Sequence, residues 1–155
     1  MDKGALISDD EFYRYKLWRI WDESLPCVLF IGLNPSTADA NIDDPTIRKC
    51  IALTKNWGYG GFYMGNLFGF RSTKPENLIS ASDPIGKCND TALNEMAQKA
   101  EIIVAAWGNK GRLFNRDKEI IRQFPQLHCL KITKENQPIH PLYQRNDANL
   151  LNYRT

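Results

Sequence analysis

Apolar runs at residues 28–33, 62–67, 102–107 and 127–132 punctuate the chain. None alternates cleanly with polar positions, the pattern expected of strands buried on both faces of a parallel sheet. Helical spacing fills the intervals. After the first run, Ile47, Ile51 and Thr54 fall on one face, with Cys50 and Leu53 beside them. Asp44 suits the N-cap of that helix, Pro45 its first position and Gly58 its end. A short helix is expected over residues 75–81. A longer one starts at Asn89 or Asp90 and runs to Lys99, with Leu93, Met96 and Ala97 inward. A further helix is expected over 113–124, stopped by Pro125. This alternation predicts βαβ units, a central four-stranded parallel sheet and a three-layer αβα sandwich. Residues 12–21 (F-Y-R-Y-K-L-W-R-I-W) read two ways. Tyr13, Tyr15 and Leu17 alternate as in a strand, whereas Phe12, Tyr15 and Arg19 would share a helical face. The aromatic bias favours an added antiparallel strand over 13–20. Residues 1–10 show no readable pattern.

Each apolar run halts at polar residues. The first ends at Asn34-Pro35-Ser36, and the second at Asn66, followed by Phe68, Phe70 and Arg71. The third ends before Asn109, and His140 follows the fourth. Ligands of open α/β sheets bind outside the carboxyl ends of the strands. Topology therefore gathers Asn34, Asn66, Asn109 and His140 on one edge, and Asn34, Asn66 and His140 should line one cleft. Taken alone, Asn34-Pro35-Ser36 is equally well an ordinary turn. Asp43 and Asp44 both sit at a helix start. Capping and the helix dipole explain one of them, which leaves the other for site work. No G-x-G-x-x-G or G-x-x-x-x-G-K-[ST] is present, against dinucleotides and P-loop nucleotides. There is no G-x-S-x-G elbow to make Ser36 a nucleophile. His128 begins a strand, the wrong end for a base.

Composition changes this picture little. The 155 residues are read as one domain, 43% hydrophobic and 25% charged. A net charge of +2 argues neither for nor against nucleic acid. The absence of a long apolar run or a signal-peptide pattern suggests a cytoplasmic protein without membrane contact. Cys27, Cys50, Cys88 and Cys129 are widely spaced, so reduced thiols are expected in place of a metal site. No cofactor is indicated, and a monomer is expected.

The ordered motifs G-L-N-P-S, G-N-L-F-G-F-R-S-T, I-V-A-A-W-G and H-P-L-Y resemble those of the uracil-DNA glycosylase superfamily, above all its mismatch-specific branch. With N-P-S-T-A-D, D-D-P-T-I-R and D-P-I-G added, the chain between Tyr13 and Tyr143 also resembles bacterial domain-of-unknown-function family 1643. The glycosylase resemblance implies a uracil-DNA glycosylase-like fold and hydrolysis of the N-glycosidic bond of a flipped base. It implies that Asn34 positions the hydrolytic water, that Asn66 reads the base and that His140 supports the leaving base or the adjacent phosphate. Phe68 and Phe70 would wall the base pocket or, equally, plug a turn. The partner would then be DNA or a nucleoside, with Arg71, Lys74, Lys110 and Arg112 near the phosphates. Two departures stand out. Pro35 is followed by Ser36-Thr37-Ala38-Asp39, and the last motif carries Leu142-Tyr143 in place of small residues. A modified base, a free nucleoside and a non-catalytic base reader therefore stay open. So does a small-metabolite hydrolase using Asp43 or Asp44 as general base.

Overall fold

A computed structural model describes residues 1–153. It is an α/β protein with a seven-stranded mixed sheet in the order β1-β2-β4-β3-β5-β6-β7. The strands are β1 Asp2–Ile7, β2 Arg14–Ile20, β3 Cys27–Gly32, β4 Gly61–Asn66, β5 Ile102–Ala105, β6 Leu127–Cys129 and β7 Leu151–Tyr153. β4, β3, β5 and β6 are parallel, as the four apolar runs predict. β2 joins them antiparallel, pairing Leu17 with Met64 and Ile20 with Gly61. The strand reading of residues 13–20 thus holds.

The sheet is wider than the sequence reading proposed, because β1 pairs with β2 and β7 with β6, both antiparallel. Neither carries a strand signature of its own. β1 is placed by tertiary fit: a Cβ on Gly4 would lie 2.1 Å from Cζ2 of Trp18, so only glycine lets that indole lie against the strand. β6 is also shorter than expected. The chain bends away after Cys129, and Ile132 bridges Pro138 instead.

The helices are α1 Pro45–Asn56, α2 Asn77–Ser80, α3 Asn89–Lys99 and α4 Arg116–Gln123. α1 follows its sequence signals. Asp44 caps it through a 2.9 Å bond from the Ile47 amide, Pro45 opens it, and Gly58 leaves it at φ +84°. α3 is capped at Cys88, and neither candidate cap performs that task. Asn89 is instead buried, its amide donating to the carbonyls of Asn66 (2.9 Å) and Leu67 (3.2 Å) at the end of β4. α4 starts later than residue 113. Residues 109–115 form an irregular 3-10 segment in which Phe114 and Asn115 take φ of 55° and 56°. Buried Arg116 then sets the start of α4, its Nε donating to the Leu67 carbonyl at 2.9 Å.

Alternate residues of β3 feed two cores. Leu29 and Ile31 pack with Leu93, Met96, Trp107 and Ile120, so α3 and α4 cover one face. Val28 and Phe30 pack with Ile47 and Cys50, so α1 covers the other. The chain therefore leaves β3 towards one face and leaves β4 and β5 towards the opposite face. Such a reversal opens a crevice at the carboxyl end of the central strand.

Candidate functional site

A cavity of about 200 Å³ occupies that crevice. Gly32, Leu33, Asn34, Pro35 and Ser36 of the β3 end form its floor. Around them stand Asn66 from β4, Trp107 after β5, His140 and Pro141 after β6, and Asp44 and Thr46 at the start of α1. Asn34, Asn66 and His140 thus line one cleft, brought from three strand ends as the topology requires.

Local bonding fixes each group. The Asn34 side-chain nitrogen donates to the carbonyls of Pro35 (3.1 Å) and Ser72 (2.9 Å), while the Ser72 amide donates back to Pro35 O at 2.9 Å. This clasp ties the β3 end to the loop after β4 and leaves Oδ1 of Asn34 as an acceptor. Asn66 is 3% exposed, and its Nδ2 is buried without a hydrogen-bond partner. Its Oδ1 lies 2.8 Å from the position a Cβ would take on Gly32, so the glycine makes room for the amide. Asp44 spends Oδ1 on the Ile47 amide, which leaves Oδ2 uncommitted. His140 accepts the Leu142 amide at Nδ1 (3.1 Å), so the neutral ring carries its proton on Nε2. Burial lowers the His140 pKa, partly offset by the charge of Asp44, and this favours the neutral form.

Other candidate residues lie elsewhere. Asp43 bonds Nε of fully buried Arg19 at 2.8 Å, a structural pairing outside the cavity lining. Phe68 is wholly buried with its ring edge-on to Phe114, and Phe70 stands edge-on to Tyr13. Neither walls the cavity. Arg71 donates from Nη1 to the Glu11 carbonyl at 3.3 Å, away from the lining. Asn109 accepts the Thr133 hydroxyl at 2.6 Å beside a separate shallow groove. Among the expected rim cations, Lys110 pairs with Glu76 at 3.2 Å and Arg112 pairs with Glu135.

Among the lining residues missed in the sequence, two stand out. Trp107 borders the cavity, its ring packed in the core with Leu29, Ile31 and Ile120. Its Nε1 donates to Gln137 at 2.9 Å, and Gly111 leaves it space, since a Cβ there would lie 2.0 Å from Trp107 Cδ1. Arg14, 3% exposed, opens β2. Antiparallel pairing with β4 sets the start of β2 at the edge where the parallel strands end, and the Arg14 amide bonds Gly69 O at 3.0 Å. Its guanidinium lines the cavity, donating from Nη1 to Ala38 O at 3.1 Å while Nε is buried and unpartnered. Burial lowers its pKa to about 10, with Asp44 opposing, so it stays charged at neutral pH. The antiparallel direction was expected; what a single sequence does not reveal is that β2 pairs with β4, in a register that sets Arg14 beside the end of that strand.

A family model described as "Protein of unknown function (DUF1643)" matches residues 14–142. The chain belongs to this family. The matched span runs from Arg14 through every cavity-lining residue to the turn after His140. No curated protein and no solved structure matches the chain. The family match adds no link to the uracil-DNA glycosylases, and within the family no activity is assigned. Among the described residues, no helix is long and apolar enough to cross a membrane. The four cysteines are free thiols, with Cys50 and Cys129 buried.

Proposed function

We propose that the cavity hydrolyses an N-glycosidic bond, in the manner of a DNA glycosylase acting on a flipped, modified base. The observation that carries this reading is the meeting of Asn34, Asp44, Asn66 and His140 in one cavity beside Trp107. Cleavage of such a bond passes through an oxocarbenium-like sugar while charge builds on the departing base. It needs a placed water and fixed donors aimed at the base, and no strong nucleophile. Oδ1 of Asn34 and the free oxygen of Asp44 are acceptors for that water. The C–N bond breaks with its electron pair on the base, water adds to the anomeric carbon, and the proton passes to the Asp44 carboxylate. Nδ2 of Asn66 and Nε2–H of His140 serve the acceptor edge of the leaving base. The parallel four-strand core with helices on both faces is consistent with a glycosylase-like three-layer fold, as are the short motifs at the strand ends.

A second reading replaces DNA by a free nucleoside. It is favoured by the pairing of Lys110 and Arg112 with carboxylates, which leaves fewer rim cations for a duplex backbone. One experiment covers both readings. Duplexes carrying uracil, mismatched thymine, hypoxanthine or modified cytosines are scored for alkali-labile abasic sites, and the matching nucleosides are scored for released base. Release from at least one substrate, abolished by Asn34→Ala, is the expected result. Duplex binding with no release from any substrate would reduce the site to a base reader, and silence throughout would sink the proposal.

A further inference from the structure

A guanidinium in the cavity wall is the feature that the hydrolytic scheme leaves unused. Arg14 is almost wholly buried, yet among the described residues its guanidinium makes a single hydrogen bond, from Nη1 to the Ala38 carbonyl. Among the described residues, no carboxylate lies within the 4.0 Å that defines an ion pair. Arg19 and Arg116, the other buried arginines among the described residues, show what the protein does elsewhere. Arg19 binds Asp43 and backbone carbonyls, while Arg116 binds Asp90 and Leu67 O. Burying a charged group without a partner is costly, so the Arg14 arrangement calls for a ligand. Its unused Nε–Nη2 edge is the fork that binds a carboxylate or phosphate through two oxygens.

The surroundings suit the same chemistry. Ser36, Thr46 and Thr73 bring hydroxyls to the cavity wall, and Thr46 lies in the first turn of the twelve-residue helix α1, whose amino end favours an anion. Asn66 adds its unpartnered Nδ2. Asp44 is the opposing charge. It lies beyond ion-pair distance of Arg14, and one of its oxygens is held by the helix amide, so it compensates the guanidinium without occupying it.

We propose that Arg14 anchors an oxyanion subsite inside the cavity, so that the ligand is a phosphate monoester or carboxylate and not a neutral molecule. The inference deepens the proposed function, since it makes the preferred substrate a nucleotide or a carboxylated nucleoside. Its own evidence is the unpaired guanidinium.

Binding is measured by calorimetry on the full chain at fixed ionic strength, without reliance on turnover. The probes are a nucleoside, its 5′-monophosphate, its base-carboxylated analogue, inorganic phosphate and acetate. At least a tenfold preference for one charged nucleoside derivative over its neutral parent is expected, with competition by the matching small anion. The phosphate and carboxylate arms identify the source of the oxyanion. Arg14→Gln should abolish the preference, and Arg14→Lys should keep only part of it. Should Arg14→Gln fail to fold, Thr73→Val, expected to weaken the charged ligand several-fold and the neutral one little, carries the test. Equal affinity for charged and neutral probes, no binding of any probe, or a preference that survives in folded Arg14→Gln would each overturn the inference. Anion binding without base release would overturn the hydrolytic reading alone. Release from neutral substrates with no charge preference would overturn the anchor alone.

Discussion

Asn66→Ala is expected to separate function from stability in opposite directions. The side chain is 3% exposed, and its Nδ2 has no hydrogen-bond partner. A buried polar group left unsatisfied costs about 1–3 kcal/mol, and truncation removes that penalty. Against this stands the lost packing of a small side chain, about 1 kcal/mol. That loss is limited because the amide borders a cavity of about 200 Å³ into which its neighbours already open. The net expectation is a variant as stable as the parent or more stable by about 1 kcal/mol, an upward shift of roughly 2–4 °C in thermal midpoint. Removing one preorganised donor typically lowers a catalysed rate by about two to three orders of magnitude. Thermal and urea unfolding, run beside the base-release assay, read the two quantities independently. A loss of more than about 2 kcal/mol would show that Asn66 has a structural partner such as a buried water, and full activity would remove it from the site.

Gly32→Ala tests the same amide from below: the new methyl, 2.8 Å from Asn66 Oδ1, should displace it and cut ligand affinity at least tenfold. In denaturant melts the variant should lose no more than about 2 kcal/mol, because the overpacking is shared with a movable side chain. Asn34→Ala should lower the cleavage rate by about two to three orders of magnitude with little loss of binding, and equal losses in both would move Asn34 to recognition. Asp43→Ala should destabilise by about 3 kcal/mol in urea unfolding, because it strips the carboxylate from fully buried Arg19. An unchanged urea midpoint would show that the backbone carbonyls alone satisfy Arg19. The lowered His140 pKa means that the unfolded chain binds the proton more readily. Its contribution to stability is then full above the ordinary value of 6.5 and falls as pH drops from there through the lower folded value. Urea titrations between pH 5 and pH 8, at about the range where histidine titrates, should show that slope in the parent and not in His140→Gln.

The parallel core was legible because buried strands announce themselves as unbroken apolar runs, and α1 because its cap, proline and terminal glycine agree. Asn34, Asn66 and His140 followed from those strands, since the carboxyl end of a strand is fixed once the strand is known. What stayed hidden depended on partners remote in sequence. β1 has no alternation and is defined by the indole of Trp18 lying over Gly4. Arg14 looks like a solvent-facing residue in an aromatic strand until the pairing of β2 with β4 is known. Phe68 and Trp107 follow strand ends alike and join the same core, and only the folded chain shows that Trp107 borders the cavity and Phe68 does not. Asp43 and Asp44 are adjacent, yet Arg19 claims one and the helix claims the other.

The two outer strands lie beyond the family-matched span of residues 14–142, yet each reaches back to the cavity. Lys3 on β1 donates to the Asn41 carbonyl at 2.7 Å, in the loop that delivers Asp44. Gly4 O, also on β1, lies 3.4 Å from Nη1 of Arg19, whose other bonds hold Asp39 and Asp43 of that loop. At the opposite edge, Tyr153 of β7 stands edge-on behind Trp107 and donates its hydroxyl to Asn136 O at 3.0 Å. The recognisable family segment is therefore smaller than the working unit. A protein trimmed to it would retain every lining side chain while losing the buttresses that hold two of them in place.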